Sequence, residues 1–278
     1  MHWQTTRFRI ALDRPLVMGI VNLTPDSFSD GGALADARAG IAHCERLLAD
    51  GADILDLGGE STRPGSLPVP ADEELARVLP VLDAALGLGC PISIDTNKPA
   101  VMAAVLARGA DIVNDINALQ APGALDVVAA HATCGVCLMH MRGTPASMQQ
   151  RPHYDGDVID EVAAFLRARV GALAGRGIAA ERIALDPGIG FGKSVEHNIA
   201  LLRRQRELLA LGRPLLVGWS RKSTLGAITG RAVGERLAAS VAAALAAIQL
   251  GASVVRVHDV AATVDALKVW RAAGLGAG

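Results

Sequence analysis

Short apolar runs punctuate this chain eight times, at residues 16–23, 54–58, 91–95, 112–116, 135–140, 183–188, 215–220 and 254–259. Each is too short for a helix, and nearly all of them end on a polar side chain followed by Gly, Pro or a charged loop. Between them lie stretches of helical period rich in Ala and Leu. Alternating strand and helix predicts parallel pairing, because a right-handed crossover returns the chain to the same edge of the sheet. Eight such units within 278 residues predict an α/β fold closed into a (β/α)8, or TIM, barrel. Residues 1–15 form a short N-terminal extension in which RFRIAL alternates, predicting a small hairpin across the bottom of the barrel.

A parallel barrel places its chemistry at the carboxyl ends of its strands. Here those ends carry Asn22, Asp56, Asp95, Asn114, His140, Asp186, Ser220 and His258. Long connections follow the first, second and fifth strands. The first two are rich in Gly, Pro, Ser and Asp, which predicts exposed and mobile loops. Asp72-Glu-Glu opens the helix after the second loop with acids at its positive end.

Composition narrows the possibilities. An apolar content of 51% supports one large core, so residues 1–278 are expected to form a single domain. A formal net charge of −1 gives no electrostatic reason for nucleic acid or membrane as partners, and any anionic ligand must be met by local cations. The stretch MHWQTTRFRI has no apolar core of a signal peptide. Residues 240–257 are interrupted by Gln249, Gly251 and Arg256, so they predict a buried helix entering the last strand and no membrane span. Four cysteines suggest a reduced, cytoplasmic protein. Cys134 and Cys137 form a CxxC without a second pair, and Cys137 falls inside a strand, so both are expected in the core.

Four constellations carry chemistry. The loop NLTPDSFSDGG (22–32) combines Asn22 at a strand end with the acids Asp26 and Asp30 and a solitary aromatic, Phe28. The loop DLGGESTRPG (56–65) offers Thr62 and Arg63 as donors for an oxyanion, beside Pro64. Asp95, Asn114 and Asp186 should point from three strands into the barrel mouth, where their burial demands a polar ligand. Carboxylates flanked by an amide suit a heterocycle with an amino-pyrimidinone edge. Lastly, Lys222 and Ser223 follow the seventh strand while Arg256 and His258 share a face of the eighth, where such barrels often hold phosphate. PGIGFGKS (187–194) ends like a P-loop, but Pro187 stands where the first Gly is required, so it is read as a Gly-rich strand exit.

Together these motifs resemble the dihydropteroate synthase family, from about Pro15 to His258. The resemblance implies condensation of 6-hydroxymethyl-7,8-dihydropterin diphosphate with p-aminobenzoate. It implies Mg²⁺ as cofactor with Asn22 as a ligand, and a pterin pocket of Asp95, Asn114, Asp186 and Lys222. Thr62, Arg63, Arg256 and His258 resemble pyrophosphate contacts, and Phe28, Pro64 and Ser223 the p-aminobenzoate site. Asp30 matches the loop acid near the reactive centre; catalysis is expected of Asp30, Asp95, Arg63 and Lys222. The family also implies a homodimer joined through late helices. Two alternatives share the pterin carboxylates. A methyltetrahydrofolate–corrinoid methyltransferase has no use for the TPDSF and STRPG loops or the RVH anion site, and a non-catalytic paralogue would not be expected to keep that anion site intact.

Overall fold

The computed structural model describes residues 1–24 and 32–275, with side chains from 37 onward in the second segment. Phe28 and Asp30 lie outside the described residues. An antiparallel hairpin, β1 (His2–Gln4) and β2 (Arg9–Ala11), precedes eight parallel strands. These are β3 (Leu16–Asn22), β4 (Ile54–Gly58), β5 (Ile92–Asp95), β6 (Ile112–Asp115), β7 (Gly135–Met139), β8 (Ile183–Asp186), β9 (Leu216–Val217) and β10 (Val254–Val257). Their order is β8-β7-β6-β5-β4-β3-β10-β9, and a parallel bridge between Leu185 and Leu215 joins the two edges into a barrel. Around it lie α1 (Gly32–Ala49), α2 (Ala71–Ala85), α3 (Pro99–Ala107), α4 (Ala124–Ala130), α5 (Val158–Ala174), α6 (Val195–Arg203), α7 (Ser223–Thr229), α8 (Leu237–Gln249) and α9 (Val260–Ala272).

All eight apolar runs became barrel strands. The seventh is much shorter than its run, because the backbone turns at Trp219, whose carbonyl accepts the Lys222 N–H at 3.2 Å. That turn is what delivers Ser220, Lys222 and Ser223 to the mouth.

The hairpin lies across the barrel bottom as expected. Trp3 is fully buried and packs with Leu16, Met18, Ile54, Ile112, Ala184, Leu216 and Val254, and its indole N–H donates to the Arg182 carbonyl at 2.9 Å. Arg7 anchors the same segment on the buried Asp111 at 2.6 Å. Burying a side chain of that size contributes on the order of 3 kcal/mol, so the end opposite the mouth is a stability centre. All four cysteines are buried and unpaired, Cys137 in the cluster around Trp3 and Cys134 against Arg182. Among the described residues, no helix is long and apolar enough to cross a membrane.

Candidate active site

The barrel mouth encloses a cavity of about 560 Å³. Its lining brings together Asn22, Thr62, Arg63, Pro64, Asp95, Asn114, Asp186, Lys222, Ser223, Arg256 and His258. These residues come from six strand ends and the loop after β4, and they include every described residue that the resemblance assigns to the site. The polar floor arises because β5, β6 and β8 end on buried carboxylate or amide side chains that the apolar layers below cannot accept.

Arg256 organises that floor. Its Nε donates to Asp56 at 2.6 Å and one terminal nitrogen donates to Asp95 at 2.8 Å. Two of five guanidinium N–H groups are used this way, leaving three for a ligand. Asp56 sits one layer deeper than expected: it lies within β4, is fully buried, and also accepts long hydrogen bonds from Asn114 at 3.3 and 3.4 Å. It is therefore the counter-ion beneath the site and does not line the cavity. Burial pushes the Asp95 carboxyl up to about 7 against the pull of Arg256, with Asp56 adding to the rise. Burial pushes the Lys222 ammonium down to about 8, while Asp186 pulls it back.

Asp186 is buried, and its Oδ1 accepts the Gly188 N–H at 2.6 Å. The turn after it is closed by glycines for a steric reason. A Cβ on Gly188 would lie 1.8 Å from the His140 carbonyl oxygen, and one on Gly192 2.3 Å from that of Arg142. Phe191 from this turn stands 4.1 Å from Lys222 Nζ, a cation–π contact that holds the ammonium at the cavity wall. With Ile116, Met139 and Ile189 it supplies the apolar faces that a flat ring needs. The sequence signal for Phe191 was available: an aromatic among glycines in a chain with only 3% aromatics.

On the other side, His258 accepts or donates through Nδ1 to Ser220 Oγ at 3.0 Å. Burial, then Arg256 and Arg221, push this imidazole down to about 3, so it is neutral near pH 7. In the tautomer whose Nδ1 accepts the Ser220 hydroxyl, its Nε2–H can meet an anion as a neutral donor, and the positive charge of the site falls to Arg256 and Arg63. The Arg63 guanidinium is exposed and has no hydrogen-bond or ion-pair partner among the described residues. Its loop is better tethered than the composition implied. Lys98 ion-pairs with both Glu60 and the buried Glu74, Glu60 accepts the Val69 N–H at 2.9 Å, and Gly65 N–H donates to Pro145. His140, expected on the floor, points away from the cavity toward Lys193.

No group of three His, Cys, Asp or Glu side chains among the described residues could cage a metal ion. The half-buried amide of Asn22 nevertheless faces the cavity with no hydrogen-bond partner among the described residues. One neutral oxygen beside anion-binding groups suits Mg²⁺, which keeps its waters and takes the rest of its shell from phosphate.

A family model described as pterin binding enzyme matches residues 18–258. Dihydropteroate synthase of Neisseria meningitidis serogroup B is 56% identical over 279 residues, covering 98% of each chain. The Burkholderia cenocepacia dihydropteroate synthase structure complexed with 7,8-dihydropteroate superposes with a TM-score of 0.90 at 52% identity, over 98% of this chain and 96% of that one. The Xanthomonas albilineans dihydropteroate synthase structure with 4-aminobenzoic acid gives 0.92 at 50% identity, over 99% of each chain.

Proposed function

The chain belongs to the pterin-binding enzymes and, within them, to the dihydropteroate synthases, and from that premise we infer how its residues divide the reaction. The enzyme condenses 6-hydroxymethyl-7,8-dihydropterin diphosphate with p-aminobenzoate, giving 7,8-dihydropteroate and pyrophosphate. The observation that carries the assignment of roles is the cavity itself. One side presents buried acceptors and a flat aromatic wall, the other unpaired or partly free cationic donors.

In this reading Asp186, Asn114 and Asp95 hold the amino-pyrimidinone edge, with Lys222 above and Phe191 beside the ring. Thr62, Arg63, Arg256 and His258 receive the diphosphate. Pro64 and Ser223, with Phe28 from outside the described residues, hold p-aminobenzoate. Breaking the methylene–oxygen bond leaves a cation that the electron-rich pterin delocalises, and the departing pyrophosphate needs its charge met by Arg63 and Arg256. Asp95 and Asp30 stabilise the methylene cation. The aniline nitrogen attacks with its own lone pair and then loses a proton, so no activated Ser or Cys is required. Asn22 would hold Mg²⁺ together with the diphosphate, and the ion would supply further neutralisation of the leaving group.

Purified chain given both substrates should release pyrophosphate, and chelating divalent cations should stop the release. Asp95 must be ionised, so kcat/KM should fall as pH drops below about 7. Lys222 must be protonated, so it should fall again above about 8. A flat profile between pH 6 and 9, on a roughly three-unit scan bracketing both groups, would remove Asp95 and Lys222 from these roles. Release that survives chelation would remove the magnesium.

We further infer pairing with a second copy through α7–α9, where Ile228, Val233, Leu237 and Val269 remain exposed. Sedimentation at twice the monomer mass is the expected result, and the monomer mass would refute it.

A further inference from the structure

Lys193 is 2% exposed, the most buried lysine among the described residues, and lies outside the cavity lining behind the turn after β8. Its ammonium hydrogens go to His140 Nδ1 at 2.9 Å, the His140 carbonyl at 3.3 Å and the Phe191 carbonyl at 3.1 Å. None of these acceptors is charged: burial and Lys193 itself push His140 down to about 3, so its imidazole is neutral. Whenever Lys193 is protonated, its charge is thus buried without a bonded carboxylate among the described residues, which is costly unless a negative charge close by answers it. Asp186 is that charge. The Gly188 N–H donates to Asp186 Oδ1 at 2.6 Å, and a Cβ on the same glycine would lie 3.3 Å from Lys193 Nζ. The lysine occupies one side of the turn whose other side faces the cavity.

We propose that Lys193 is a positioning residue for the pterin: it staples the turn 187–192 to the end of β7, and from outside the cavity it supplies the positive charge that keeps Asp186 an ionised acceptor. This rests on the reading of Asp186 as the pterin acceptor. Three cations face Asp186: Lys222 from the lead into α7, Lys193 from its own turn and Arg256 from β10. Lys193 in turn is faced by Asp186, Lys222 and His140. Lys222 and Arg256 reach the cavity, where solvent and ligand modulate them. Lys193 does not, so its field on Asp186 is little screened by whatever fills the mouth. Burial pushes Asp186 up and Lys193 down to about 7, and each draws the other toward its charged form. Such coupling is reciprocal: if the Lys193 charge tightens pterin binding, bound pterin raises the Lys193 midpoint by the same factor.

The chain has four lysines, at positions 98, 193, 222 and 268, so labelling lysine Cε with ¹³C yields four NMR titrations of the wild-type protein. The probe is 6-hydroxymethyl-7,8-dihydropterin, the substrate without its diphosphate. It should raise the Lys193 midpoint by about one pH unit for each tenfold of coupling. In Lys193→Met the probe should bind roughly ten- to hundredfold more weakly. The loss should be greatest toward acid pH, where Asp186 now protonates, while kcat at saturating substrate changes little. Lys193→Arg, which keeps the charge, should recover affinity. A Lys193 midpoint unmoved by the probe overturns the proposal, as does a folded Lys193→Met chain whose affinity is unchanged or falls equally at every pH. If Lys193→Met does not fold, the wild-type titration decides alone. Normal affinity in Asp186→Asn would instead remove the reading on which the proposal rests.

Discussion

Arg256→Ala should destabilise the chain by about 3–5 kcal/mol and abolish most turnover. The side chain crosses the barrel floor to Asp56 and Asp95, and both carboxylates are buried. Removing the guanidinium leaves two like charges facing each other out of water, which is far worse than losing an exposed ion pair. The pyrophosphate contact disappears as well, weakening pyrophosphate inhibition by roughly 1.5–3 kcal/mol. His258→Ala should affect inhibition less, since it removes a neutral donor, and should leave stability nearly intact. Neutralising one orphaned partner, in Asp56→Asn with Arg256→Ala, should return part of the lost stability. Urea unfolding and pyrophosphate inhibition measured side by side are the test. An Arg256→Ala chain as stable as the parent would show that Asp56 and Asp95 do not depend on it.

Asp186→Asn should have a different signature, a large loss of pterin affinity with a smaller fall in stability, because Lys193, already pushed down to about 7 by burial, sheds its proton once its counter-charge is gone. The amide oxygen can still accept the Gly188 N–H that Asp186 Oδ1 now accepts at 2.6 Å, so the turn keeps its anchor. The amide nitrogen then directs a donor at the donors of the pterin edge, leaving buried polar groups unpaired at a cost of about 1–3 kcal/mol, or more where charge is involved. Nothing in the apolar layers below changes. Calorimetric titration with the dihydropterin, beside a thermal melt, separates the outcomes: tight binding by the folded variant would remove Asp186 from the pocket.

Most of the barrel was legible because each strand is a short apolar run ended by a polar residue, a pattern that a strand buried on both faces cannot avoid. The tips were legible for the same reason: Asp95, Asn114 and Asp186 stand where the apolar run stops. What escaped depends on partners remote in sequence. Asp56 reads like any strand-tip acid until Arg256, from the last strand, is seen bonded to it. His258 reads as an anion contact of unspecified charge until its burial beside Arg256 and Arg221 is known. Lys193 passes unnoticed in a Gly-rich strand exit, because local pattern says nothing of the β7 end packed over it. Phe28 and Asp30 lie outside the described residues, so their roles rest on the resemblance alone.

The plug at the barrel bottom also orders events during synthesis. Trp3 is translated long before two of its packing partners, Leu216 and Val254, leave the ribosome. The β3 strand likewise waits for β10 to cover its free edge. Until then a nascent chain carries an unsealed sheet and an unhoused indole, the kind of exposed apolar surface that chaperones bind. Because the closing contacts join segments so far apart in the chain, closure is a late step with a high loop-closure cost. Translation arrested just short of β10 would therefore leave a ribosome-bound chain that lacks Arg256 and His258 and whose barrel has no closed wall to hold the loops already made.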